Sequence, residues 1–167
     1  MDLLEQTFLG NPVLDWIIAL GVVILVLAVL RGVKAFVLRQ VRRFSARTKN
    51  DIDDLVAAVL ERTRFFFLLA LAVIAGSQFL ELSGTARDVI RALVFLATLL
   101  QLGFWGTAGI EVGLGRYTSR RMEEDAAAAT TVRFVGFLLR LGLWVLVALV
   151  ALDTAGVDIT ALVAGLG

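Results

Sequence analysis

The sequence contains no cysteine and no histidine among its 167 residues, and it contains a single proline. Without cysteine the chain cannot form a disulfide, ligate an iron–sulfur cluster or supply a thiol nucleophile. Without histidine it lacks the commonest zinc ligand, the usual axial ligand of haem and the general base of a Ser–His–Asp triad. These absences exclude much ordinary enzymology, and we predict no cofactor.

Charged residues are also scarce. They make up 19% of the chain, whereas hydrophobic residues make up 59%; soluble domains average about 25% charged and 45–50% apolar residues. A globular fold in water would leave much of this apolar surface exposed, so the expected surrounding is a lipid bilayer. The apolar runs are continuous and do not alternate as barrel strands do, which predicts an all-α membrane protein, a helical transmembrane bundle.

Four apolar stretches approach the roughly 20 helical residues that a bilayer core requires, and a fifth begins near the end of the sequence. Nine residues of this fifth segment reach only about 13 Å, so we expect the sequence to contain only its start. The predicted organisation is an external N-terminus (1–12), a first span with a cytoplasmic extension (13–46), an amphipathic helix with the second and third spans (47–113), a cytoplasmic turn-around (114–131), a fourth span (132–152), and an external loop with the start of a pore-like helix (153–167). The second span is predicted over 65–82.

The basic residues are distributed unevenly between the two sides of this bundle. Of the 16 Lys and Arg residues, 13 lie in or beside the loops between spans one and two and between spans three and four, two lie on the opposite side, and Arg140 lies within span four. The positive-inside rule then predicts that both basic loops are cytoplasmic and that the N-terminus is external. The expected partners are membrane lipids and not nucleic acid. Contacts with anionic headgroups are expected from Arg39, Arg42, Arg43, Arg62 and Arg64.

Two ionisable residues lie in the same half of predicted spans three and four, where an unpaired charge is costly. Glu111 is close to the cytoplasmic end of span three, and Arg140 is in the same half of span four. We predict that they form an intramembrane charge pair that holds the two spans in register. The alternative is that Arg140 extends its long side chain to the cytoplasmic headgroups. Gly109 and Gly113 form a G-x-x-x-G pattern, and with Gly103 and Gly106 upstream they predict a strip of close helix packing on span three.

Two acidic clusters, 51–54 and 123–125, are predicted on the same membrane face. Carboxylates in that arrangement could bind Mg²⁺ around a pyrophosphate in a lipid-modifying enzyme. The alternative is that they are ordinary solvated charges, with Asn50 capping a helix whose first turn is acidic. We favour capping, and we predict no catalytic residue and no metal site.

Two segments resemble the bacterial small-conductance mechanosensitive channel (MscS-like) family, particularly its members with additional N-terminal spans. They are the stretch from Arg47 through Asp51-Ile52-Asp53-Asp54 to Arg64, and the stretch from Leu152 to Gly167. The resemblance implies a channel of the bacterial inner membrane that opens under membrane tension and relieves osmotic shock. It also implies a homo-oligomer, usually a heptamer. The start of the pore helix would then include Ala161, Ala164, Gly165 and Gly167.

Since the sequence contains only the start of such a pore helix, the resemblance indicates the tension-sensing membrane portion of a channel rather than an enzyme. Two hypotheses from other classes stay open at this stage. One is a Mg²⁺-dependent lipid-modifying enzyme that uses the two acidic clusters. The other is a membrane scaffold that transports nothing.

Overall fold

A computed structural model of the chain describes residues 7–45, 51–121 and 126–157, together with Ala164. The described residues form five helices and one short hairpin, and this confirms the predicted all-α class. The elements are β1 (Thr7–Phe8), β2 (Asn11–Pro12), α1 (Val13–Ser45), α2 (Asp51–Glu61), α3 (Phe65–Ser77), α4 (Gly84–Arg121) and α5 (Ala126–Thr154). The chain divides into two compact units, the first formed by Met1–Gln40 and Thr63–Thr98, the second by Val41–Arg62 and Leu99–Gly167.

Three of the helices are long and apolar enough to cross a membrane: Val13–Arg43 of α1, Gly84–Gly115 of α4 and Thr130–Thr154 of α5. Their large apolar side chains are exposed rather than packed in a core; Leu25 of α1 and Leu146 of α5, for example, are 63% and 60% exposed. Apolar surface of this extent is stable in lipid and unfavourable in water. The architecture is therefore that of a multi-pass membrane protein.

The second predicted span differs from the expectation. The helix α3 has 13 residues and measures about 20 Å at 1.5 Å per residue, which is less than a bilayer core of roughly 30 Å. At Ser77 the backbone bonding changes to the 3₁₀ type, from Gln78 N to Ala75 O at 3.4 Å and from Phe79 N to Gly76 O at 3.1 Å. The Ser77 hydroxyl and the Gln78 side-chain amide both donate to the Ile74 carbonyl there, at 2.9 and 3.3 Å. These side chains compete for an acceptor that a continuing helix would use. Three helices of the described chain, and not four, thus have the length of a full span.

A β-hairpin precedes α1 in the first unit, within the segment that the sequence analysis treated only as an external N-terminus. Leu9 and Gly10 have positive φ angles of 53° and 84°, and two such residues in succession form the tight turn that matches the twist of a two-stranded hairpin. Asn11 is 1% exposed. Its amide accepts a hydrogen bond from Glu81 N at 2.6 Å and donates one to Glu81 O at 3.1 Å. The hairpin is thereby attached to the loop that follows α3.

Within the same unit, α3 runs antiparallel to α1. Gly76 lies so close to α1 that an added Cβ would fall 2.7 Å from the Ala19 carbonyl oxygen and 2.5 Å from a methyl of Val23. At the other end of α3, Arg31 Cζ lies 4.5 Å from the centre of the Phe65 ring, a cation–π geometry. The absence of a side chain at Gly76 is therefore what allows the two backbones to meet.

In the second unit, α4 and α5 form an antiparallel pair whose contact also depends on glycine. Trp144 and Val147 of α5 pack over Gly103, and Leu143 packs over Gly106. Phe104 and Trp144 meet edge to face with their ring centres 5.3 Å apart. The α4 helix continues to Arg121 and α5 begins at Ala126. The predicted turn-around over 114–131 is therefore mostly helical, and its central residues 122–125 lie outside the described part of the chain.

Candidate functional site

Three charged side chains meet in the second unit, and Glu111 of α4 is at their centre. Its Oε2 accepts a hydrogen bond from Nη2 of Arg62, and its Oε1 lies 3.6 Å from Nη1 of Arg140. The first contact is a charge-assisted hydrogen bond; the second is an ion pair beyond hydrogen-bonding distance. We call Arg62, Glu111 and Arg140 the charge cluster.

Arg62 reaches this cluster because its backbone is fixed to α4. It directly follows α2, and its carbonyl oxygen accepts a hydrogen bond of 3.1 Å from Nε2 of Gln101. Gln101 is fully buried within an otherwise apolar part of α4. An amide buried without partners would be costly, so its bond to Arg62 both satisfies the amide and defines where α2 ends against α4.

Arg140 reaches the cluster through the packing of α5 on α4. Gly136 lies one turn earlier on α5, and a Cβ there would lie 2.5 Å from a methyl of Leu114 and 3.9 Å from Nη2 of Arg140. The missing side chain leaves room for Leu114 and for the arginine, whose side chain bends back toward the start of its own helix as helical side chains do. Glycine at 136 thus sets the helix spacing at which Arg140 can approach Glu111.

The cluster has one carboxylate for two guanidinium groups, and so carries a net positive charge. The three side chains are 37–41% exposed, hence the cluster lies at the surface of the second unit. What it can do is join α2, α4 and α5 through one acidic residue, in a region where apolar packing alone gives little directional preference.

The other residues singled out from the sequence have varied positions. Gly109 faces α2, since a Cβ on it would lie 3.9 Å from a methyl of Leu55, an ordinary van der Waals contact. Around Gly113 there is open space within 4 Å among the described residues. The close approaches on α4 occur instead at Gly103 and Gly106, upstream of the predicted G-x-x-x-G pattern.

The five arginines expected at lipid headgroups differ in their partners. Arg42 Nη2 lies 2.6 Å from Glu61 Oε1, in an ion pair whose side chains are 64% and 47% exposed. Arg62 belongs to the charge cluster. Arg39 and Arg43 are exposed on α1, and Arg64 is exposed directly before α3. Headgroup contact by these residues stays a prediction.

Several predicted residues cannot be compared with the fold. Ala161, Gly165 and Gly167 of the pore-helix start lie outside the described residues, as do Asn50 and the acidic cluster at 123–125; Ala164 is described as exposed. Within the described residues, no three Asp or Glu side chains are grouped closely enough to hold a metal ion. Asp53 and Asp54 lie in the first turn of α2, where acidic residues complement the helix dipole.

Sequence reasoning missed two parts of the site. Arg62 was assigned to headgroups because it lies between predicted spans, and no local pattern indicates that it turns back to Glu111. Gln101 did carry a usable signal, since an amide within an apolar span must find a partner or leave two donors unsatisfied. Its partner, a backbone carbonyl 39 residues away in sequence, could not be identified without the fold.

Comparison of the chain with protein-family models, with curated proteins and with solved structures finds no match. The resemblance to mechanosensitive channels thus depends on the residue patterns of this sequence alone.

Proposed function

We propose that this chain is the tension-sensing membrane domain of a mechanosensitive ion channel that relieves osmotic shock. The observation that carries the proposal is the short apolar helix α3, held lengthwise against the much longer α1. The patterns at 47–64 and 152–167 that resemble small-conductance mechanosensitive channels support the same function. Under this proposal the chain acts in the bacterial inner membrane as part of a homo-oligomer, a heptamer by family resemblance.

Contacts at its two ends support a crossing of the bilayer by the segment Thr63–Glu81, despite its short helix. At one end, Lys34 Nζ donates to the Thr63 carbonyl at 2.6 Å; at the other, Asn11 binds Glu81. The α1 residues between these ends, 13–34, extend about 32 Å, close to the thickness of a bilayer core. We therefore propose that Thr63–Glu81 crosses the bilayer, so that the chain has four crossings with an external N-terminus.

The short helix gives this crossing a physical response to tension. Only about 20 Å of it is apolar helix, so a bilayer of ordinary thickness must thin locally or expose polar residues to lipid around it. Stretching a membrane thins it and reduces this mismatch. Tension would thus favour the conformations in which the α3 crossing is most exposed to lipid, which is the property that a sensor needs.

The test is electrical. Membrane patches from cells that carry the gene encoding this chain are stretched by suction, and patches from cells lacking the gene serve as the reference. We expect stretch-activated current in the first set alone. Absence of any gene-dependent current would contradict the proposal and would leave the enzyme or scaffold hypotheses.

A variant pair makes the same test specific for α3. Gly76→Ala forces a methyl group against the Ala19 carbonyl, whereas Gly142→Ala adds one where there is open space. We expect Gly76→Ala to shift the tension at which current appears and Gly142→Ala to leave it unchanged. If both variants open at the same tension, the current does not depend on the packing of α3 on α1, which would contradict the proposed role of α3.

A further inference from the structure

A cavity of about 300 Å³ opens between the end of α3 and the beginning of α4, within the first unit. Its polar lining residues are Arg87, Arg91, Ser77 and Gln78, and its apolar lining residues include Ile74 and Ile90. We call this cavity the headgroup pocket. It shares no residue with the charge cluster.

The two arginines are placed to act together. They are four residues apart on α4 and thus lie on one face of the helix, with their Cβ atoms about 6 Å apart. Guanidinium groups bind phosphate oxygens through paired N–H donors, and two of them on one face can approach the same phosphate from two sides.

Both guanidinium groups have donors available. Arg91 pairs with Asp88 at 3.6 Å, with side chains 67% and 75% exposed, which is too long for a hydrogen bond and contributes little to stability. The Arg87 side chain is exposed, and it makes no ion pair within the described part of the chain. With Asp88 included, the pocket carries about one net positive charge, which a phosphodiester would neutralise.

The distribution of charge along the whole sequence favours a ligand in this pocket. Of the 16 basic residues, the predicted topology leaves only Arg87 and Arg91 on the face of the membrane where α3 ends and α4 begins. Both line the same cavity, whose wall also contains Ile74, Leu80, Leu82 and Ile90. Since α4 begins at Gly84, Arg87 and Arg91 lie within its first two turns, near the end of the span where headgroups are expected.

We propose that the headgroup pocket binds an anionic phospholipid, with its phosphate between Arg87 and Arg91 and the start of its acyl chains against the isoleucine and leucine wall. Ser77 and Gln78 present further polar groups to the headgroup. This inference does not depend on tension sensing; it requires only that α4 begins at a membrane surface.

The experiment measures binding of short-chain lipids to the purified chain in detergent by thermophoresis. Four probes are compared: dihexanoyl phosphatidylglycerol, dihexanoyl phosphatidylcholine, glycerol 3-phosphate and inorganic phosphate. We expect phosphatidylglycerol to bind at least tenfold more tightly than the other three, because it alone combines a net negative charge with acyl chains. Equal binding of glycerol 3-phosphate would instead assign the pocket to soluble phosphates and overturn the lipid proposal.

Two double variants of equal charge provide the control. Arg87→Gln with Arg91→Gln removes both cations from the pocket, and Arg116→Gln with Arg133→Gln removes two cations of α4 and α5 that belong to the second unit and not to the unit that holds the pocket. We expect the first pair to lose at least tenfold in affinity for phosphatidylglycerol and the second to retain it. An equal loss in both would indicate non-specific attraction and overturn the proposal.

A third variant tests the apolar wall without changing charge. Ile90→Ala should weaken phosphatidylglycerol binding severalfold and leave the weak binding of glycerol 3-phosphate unchanged. Unchanged lipid binding in this variant would contradict the placement of the acyl chains.

Discussion

At the scale of single residues, Glu111 is the acidic residue on which the charge cluster depends. Its replacement by Leu leaves two guanidinium groups, on Arg62 and Arg140, without their carboxylate. We expect the Glu111→Leu variant to lose about 1–3 kcal/mol in the free energy of unfolding, the cost of charged donors left without a partner. The measurement is thermal unfolding in lipid nanodiscs.

The double-mutant cycle with Arg140→Leu distinguishes pairing from extension toward headgroups. If the two residues interact, the loss in the double variant should be smaller than the sum of the two single losses. Strictly additive losses would mean that Arg140 is stabilised by headgroups and that the 3.6 Å approach to Glu111 contributes nothing.

Asn11 is the second residue whose role can be measured in isolation. Asn11→Ala removes both hydrogen bonds to the backbone of Glu81, and Asn11→Asp keeps the acceptor but sets a carboxylate against the Glu81 carbonyl. We expect Asn11→Ala to speed hydrogen exchange of the Glu81 amide and Asn11→Asp to retain its protection, with a loss of about 1–3 kcal/mol in stability in both. Exchange at the wild-type rate in Asn11→Ala would show that the hairpin is not fixed by this residue.

At the scale of elements, backbone atoms limit how closely α3 approaches α1, whereas side chains limit how closely α5 approaches α4. A methyl group at position 76 meets the Ala19 carbonyl, which cannot move without moving α1, whereas one at position 136 meets the end of the Leu114 side chain. We expect Gly76→Ala to lower the melting temperature more than Gly136→Ala. Gly21→Ala, with open space around it, should raise stability slightly through helix propensity. A melting temperature of Gly76→Ala at or above that of Gly21→Ala would contradict the close packing of α3.

Much of the helical architecture was predictable, because uninterrupted apolar sequence in lipid has few alternatives to helix. The start of α1 at Val13 follows from the single proline before it. The end of α3 at Ser77 was not predictable from hydropathy, since Phe79, Leu80 and Leu82 continue the apolar stretch beyond it. The attachment of the hairpin was not predicted either. Asn11 bonds to Glu81, 70 residues away, and the sequence around Asn11 does not indicate this partner.

The candidate site was predictable only in part. Glu111 and Arg140 stand out because ionisable residues are rare in apolar spans. Arg62 and the packing glycine at 136 do not, since their roles depend on how α2 and α5 register on α4, whereas Gly103 and Gly106 lie in the glycine strip that the sequence predicts on span three. The sequence thus identifies residues in apolar spans that need a polar partner. Which residue is that partner depends on the tertiary packing.

At the scale of the whole molecule, the proposed crossing by Thr63–Glu81 predicts on which side of the membrane each helix end lies. A chain without cysteine allows single cysteines to be labelled without background. We expect a membrane-impermeant maleimide to label Thr85→Cys in intact cells and to label Arg43→Cys only after the membrane is permeabilised. Labelling of both positions from the same side would mean that the segment does not cross.

The central claim is that the mismatch between the short α3 and the bilayer makes this domain respond to tension. The most direct measurement is the tension threshold of the natural gene product, reconstituted in bilayers of two acyl-chain lengths and stretched by suction. Our account predicts a lower threshold in the thinner bilayer, because part of the mismatch is already relieved there. A threshold that is the same in both bilayers, or the absence of any stretch-activated current, would contradict it.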